Sequence, residues 1–168
     1  MQGDTVYVFR NKKDKDRILK IVYDEDSQED PRKFDGNNGI MVCCHNHYKL
    51  GDKQFDDPQQ IDELIKEEKP FVILPLYLYD HSGITMSTKD FGDQWDSGQV
   101  GFIYTTKQKL KENGHVKITK EFATKLLQNE VDVYDDYIKG DVYGFIGSID
   151  KNGIFDDHYK RYEWENIE

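Results

Sequence analysis

Apolar and polar residues alternate over Thr5 to Phe9 and again over Ile18 to Tyr23, with the charged run RNKKDKD between them. A period of two gives each run one face for a core, so the pair predicts a β-hairpin. From Asp24 to Asn38 the periodicity disappears and acids gather with Pro31, Gly36 and two Asn, which predicts a mobile loop over 24–38. Gly39 to Cys44 reads as a short apolar strand, followed by a polar stretch from His45 to Asp56.

A helical period begins after Asp57. Asp57 is suited to cap free N–H groups, Pro58 to the first helical position and Gln60 to the capping-box spacing, while Ile61, Leu64 and Ile65 form one stripe and Pro70 ends it. Phe71 to Tyr79 is apolar on both faces, as a central strand would be. Pro75 removes a ladder donor there, so a bulge or a local edge is expected. Asp80-His81-Ser82-Gly83 reads as a tight turn, Ile84 to Thr88 as its return strand and Gln99 to Thr105 as another strand. Thr106 heads a short basic helix through Asn113. Thr119 heads a long one, with Phe122 as its first core residue, Ala123, Leu127, Val131, Tyr134 and Ile138 on one face, and Gly140 as its stop. Asp141 to Ile149 reads as a strand that would reach the same region if it lay beside the Gln99 strand. Lys151-Asn152-Gly153 reads as a hairpin turn, and a last strand passes through Tyr159 and Tyr162.

This irregular order of roughly six to eight strands, mostly antiparallel, with two or three helices predicts an α+β fold. A chain of 168 residues without repeats or a linker predicts a single domain over 1–168.

Charge narrows the partners. The net charge of -10 repels phosphate backbones, so direct nucleic-acid binding is not expected, although an acidic face could imitate nucleic acid and occupy a basic groove. No apolar run is long enough for a membrane span, and the N-terminus lacks a signal-peptide core. Cys43 and Cys44 are neighbours that point to opposite faces of a strand, so no bridge joins them and a reduced, cytoplasmic setting is expected.

Candidate chemistry concentrates in Leu74 to Gly101. Asp80, His81, Ser82, Trp95, Asp96, Ser97 and Gln99 lie on two turns fed by apolar strands, and the turns would open onto one pocket. Trp95 would stack on a ring or a partner side chain, and the others would supply directional hydrogen bonds. A hydrolase would need a mixed spatial set, such as Ser97 with His81 and Asp80, since neighbouring side chains diverge; His81 as acid/base with Asp96 as its partner is the enzymatic alternative. His45-Asn46-His47 could turn two rings to one face, yet no metal-site spacing supports a metal, and one His packing beside Tyr48 with the other exposed is the simpler expectation. No phosphate-cradling loop and no cofactor motif is present. The lysines at 107, 109, 111 and 117 read as a solvated helix face.

MVCCHNHYKLGD (41–52), LPLYLYDHSGITMST (74–88), WDSGQVGFIY (95–104) and GDVYGF (140–145) resemble an uncharacterised family of small proteins of bacteriophages, plasmids and integrative elements. The resemblance covers the middle and later two-thirds of the chain. Relatives carry a basic residue at the place of His47 and a proline at that of Gln94. It implies a mobile-element setting inside a host cell, where such proteins act as inhibitors of host enzymes or defence systems or as sponges for nucleotide-like ligands; it implies no reaction. The expected partner is a host protein or a small nucleotide-like ligand.

Overall fold

The computed structural model describes residues 4–24, 29–149 and 164–166, the side chains of 148, 149 and 164–166 excepted. The chain divides into two compact units, Met1–Gln28 with Asp141–Glu168, and Glu29–Gly140. The described elements make an α+β fold with mostly antiparallel strands, as the pattern predicts. None of the described helices is long and apolar enough to cross a membrane.

In the first unit the predicted hairpin forms. β1 (Thr5–Asn11) pairs antiparallel with β2 (Arg17–Tyr23). The charged turn closes on a buried residue: the Asn11 side-chain oxygen accepts the N–H groups of Lys13 and Asp14, both at 2.9 Å. The last strands complete a four-stranded sheet of order β8-β2-β1-β9, where β8 is Tyr143–Ile149 and β9 is Trp164–Asn166. β8 pairs with β2 and not with the Gln99 strand, so the pairing on which a contribution of Asp141 and Tyr143 to the candidate pocket depended is not formed. The turn at 151–153 and the strand expected through Tyr159 and Tyr162 lie outside the described residues.

The second unit carries a five-stranded sheet. β3 (Ile40–Cys43), β4 (Lys53–Gln54), β5 (Val72–Asp80), β6 (Ile84–Ser87) and β7 (Ser97–Thr105) take the order β4-β3-β7-β5-β6, with only the β3–β4 pair parallel. Pro75 sits in the half of β5 that β6 does not reach, because that pairing starts at Tyr77, so its missing donor is tolerated at a local edge. A bulge follows directly: Leu76 faces Gly101 and Tyr77 faces Gln99, leaving Val100 as the extra residue.

Helices cover both faces of this sheet. α3 (Lys120–Lys139) buries Ala123, Leu127, Val131 and Tyr134 at helical spacing against Met41, Leu76, Ile103 and Met86. α1 (Pro58–Glu68) lays Ile61, Leu64 and Ile65 against Val42, Phe102 and Tyr104 on the opposite face. The predicted caps hold: the Asp57 side chain accepts from Gln59 N–H, and the Thr119 side chain accepts from Phe122 N–H, while Gly140 ends α3 with φ 78°. Phe122 is 37 % exposed, however, and packs edge-on to His115, so the core stripe of α3 begins at Ala123. α2 (Lys107–Glu112), headed by Thr106, contributes the buried Leu110.

Within the stretch expected as a loop, residues 29–38 make named contacts. Asp30 caps a 3-10 turn at Pro31–Lys33, and Arg32, 7 % exposed, enters the interior. Its guanidinium donates to Asp52 at 2.8 Å, Glu130 at 2.9 Å and the Gly39 carbonyl at 2.8 Å. The same carboxylates accept backbone N–H groups of Met41 (Asp52, 2.7 Å) and Gly39 (Glu130, 3.0 Å), tying the loop, β3 and α3 together. Burial pulls the Arg32 pKa down, but the paired carboxylates outweigh it and the net direction is up.

Candidate functional site

The site follows from where strands stop pairing. β7 pairs with β5 along Ser97–Thr105, but its ladder with β3 ends at Cys43 opposite Gly101, plus one bond from Cys44 N–H to the Val100 carbonyl at 2.7 Å. Beyond that point Cys44 to His47 peels away from β7, and a cleft of about 590 Å³ opens between them. A second recess of about 270 Å³ shares Cys44, Pro58, Gln99 and Val100 with it and runs on to Ile61 of α1 and Phe102.

Two backbone features shape the β7 wall. The bulge at Val100 breaks alternation: Val100 and Ile103, three apart, both face the α3 core, which turns Gln99 to the same side as Phe102. Gly101 permits the close approach of β3, since a Cβ there would stand 1.9 Å from the Val42 carbonyl oxygen. The β7 edge is then open. Asp80 N–H donates to the Asp96 carbonyl at 2.8 Å, so antiparallel alternation points the N–H and C=O of Ser97 and Gln99 away from β5, toward the cleft, where no described strand pairs with them.

The two predicted turns do lie side by side. Asp80, Trp95, Asp96, Ser97 and Gln99 all line the cleft. His81 and Ser82 do not line it; they sit on the adjoining turn, where His81 N–H donates to the Gly83 carbonyl and Ser82 takes φ 60°. His81 Nδ1 lies 3.1 Å from an Asp96 carboxylate oxygen, at the rim. Ser97 Oγ donates to the Asp93 carbonyl at 2.6 Å, so its proton is directed away from His81 and no nucleophile–base bond is formed.

Two contributors, Asp93 and Tyr48, were not among the expected site residues. Asp93 builds the second turn: its carboxylate accepts Trp95 N–H at 2.8 Å and Asp96 N–H at 2.9 Å, and these bonds hold its pKa below the ordinary carboxylate range. The Asp-x-Trp-Asp spacing was the available signal, because an Asp that accepts from the second and third following N–H groups is an Asx turn. Trp95 is thereby held 93 % exposed. Tyr48 donates its hydroxyl to Asp80 at 3.2 Å, and this bond pushes its own pKa up. His45 stacks on Tyr48 with ring centroids 5.1 Å apart, and its Nδ1 accepts Tyr48 N–H at 3.2 Å, so a neutral ring carries its proton on Nε2. His47 is exposed, as the simpler expectation had it. Among the described residues no group of three His, Cys, Asp or Glu side chains is placed to hold a metal ion.

The ionisable lining of the cleft is three aspartates and two histidines, His45 and His47, with Cys44 beside them. The aspartates are Asp56, Asp80 and Asp96, and no lysine or arginine lines the cleft. A larger groove of about 730 Å³ runs between the end of β6 and the outer face of α3. Its walls are long, flexible side chains of mixed sign, Lys89, Lys120, Glu121, Lys125 and Asp132, which is the composition of a solvated helix flank. The chain matches no protein-family model, no curated protein and no solved structure in the comparisons made.

Proposed function

We propose that this protein acts by binding, and that the cleft between the Asp80 and Asp96 turns receives the bound group with Trp95 against it. One observation carries the reading: the side-chain donors and acceptors of the cleft are held in place by turn geometry around an exposed indole, while the serine hydroxyl is committed to a carbonyl. A solvent-facing aromatic beside fixed polar groups suits recognition, and the committed serine leaves no nucleophile paired with a base. The resemblance of 74–88 and 95–104 to mobile-element proteins supports an accessory role in a host cell, as a counter-defence inhibitor acting on a host component.

Native mass spectrometry of the protein purified from bacterial cells tests this. A co-purifying partner or ligand is expected with the wild-type chain and is lost with Trp95→Ala, whose circular dichroism stays unchanged. Retention of the same partner by the variant would remove the cleft from the mechanism. A second reading, a small hydrolase or nucleotide-processing enzyme, is favoured by one feature, the His81–Asp96 contact at 3.1 Å, the arrangement that a base and its orienting carboxylate would take. It requires that His81→Ala abolish a turnover while leaving binding in place.

A further inference from the structure

We infer that the occupant of the cleft is an extended, basic segment of a partner protein, laid as an added strand along the open edge of β7. This rests on the binding reading above and narrows it to one chemistry. The edge presents the N–H and C=O groups of Ser97 and Gln99, two residues apart on one side of a strand, which is the repeat that another extended backbone matches.

Charge selects among peptides. A group entering past Asp56, Asp80 and Asp96 meets three carboxylates and no lysine or arginine, so a phosphate would be repelled and a lysine or arginine head attracted. Trp95 offers an exposed indole face to the same cation. The adjoining recess between Ile61 and Phe102 has room for one small apolar side chain of the strand. A nucleotide-like ligand, one of the two partners expected from sequence, is therefore the less suitable occupant of this cleft.

The test uses the full chain carrying Trp164→Phe, so that Trp95 is the sole indole, and the peptide Ac-Arg-Val-Lys-Val-Arg-amide as probe. Its emission should shift on titration, and the amide hydrogens of Ser97 and Gln99 should exchange more slowly in the complex. Asp56→Asn and Asp80→Asn, checked for folding by circular dichroism, should each weaken binding by about fivefold to tenfold, as should raised salt. A version with N-methylated backbone amides should lose the protection at Ser97 and Gln99. Equal binding of the Glu-substituted peptide, preference for ATP, or no amide protection at about 1 mM peptide would each overturn the basic-strand inference. None of these would touch the cleft reading, which fails separately if Trp95→Ala retains the partner captured from cells.

Discussion

Cys43 and Cys44 show how one position along a strand changes the chemistry of identical side chains. Cys43 is buried among Met41, Leu76 and Ile103, and burial pushes its thiol up to about 12 from an ordinary 9.0. Cys44 turns to the other face, half-buried at the cleft. Alkylation of the native protein near neutral pH should therefore modify one thiol, Cys44, with the second reacting only after unfolding; two fast adducts in native mass spectra would contradict the packing. The sign for stability follows. A raised folded pKa on an acid means that the contribution is complete below the unfolded thiol's pKa and is lost as pH rises through the folded value. Gly101 acts at the same scale: no side chain fits 1.9 Å from a carbonyl oxygen, so the join of β3 to β7 depends on a residue without one.

Among elements, the strongest constraint is the Arg32 network, which fastens the 3-10 turn, β3 and α3 at one point. The Arg32 side chain is 3 % exposed, so removing it strands two carboxylates in a weakly solvated place. Arg32→Met should cost about 3–5 kcal/mol of unfolding free energy in urea titrations, with Glu130→Gln costing less because the amide keeps an acceptor for Gly39 N–H. A change under about 1 kcal/mol for Arg32→Met would show that the pair contributes specificity alone. Charged residues in an aperiodic, Pro- and Gly-bearing stretch read as solvated. Nothing local distinguishes an arginine that will meet Asp52 and Glu130, 20 and 98 positions away, from one that meets water.

For the whole molecule, both apolar clusters of the second unit draw every member from between Ile40 and Ile138. Its sheet, helices and ion network are likewise internal to Glu29–Gly140. A fragment spanning 29–140 should thus unfold in one cooperative thermal transition and keep slow amide exchange along β5 and β7; a non-cooperative melt would show that the remainder of the chain completes its core. The open end of the sheet belongs to this unit alone, so the fragment should also preserve the Trp95 emission spectrum.

By itself the sequence determined the local elements: periods of two and 3.6, the caps at Asp57, Thr106 and Thr119, the stop at Gly140 and the two turns are short-range physics, settled by residues within a few positions of each other. It also placed Asp80, Trp95, Asp96, Ser97 and Gln99 together, because two adjacent turns at matching strand ends need only the β5–β7 register to meet. Only the tertiary structure decided that His81 and Ser82 stand outside the cleft, that β8 pairs with β2, that β4, two residues long and without a pattern, extends the sheet, and that β3 parts from β7 after Cys44. Each of those is fixed by a partner distant in the chain or by a single bulge residue, and neither leaves a periodic trace in the residues that it moves.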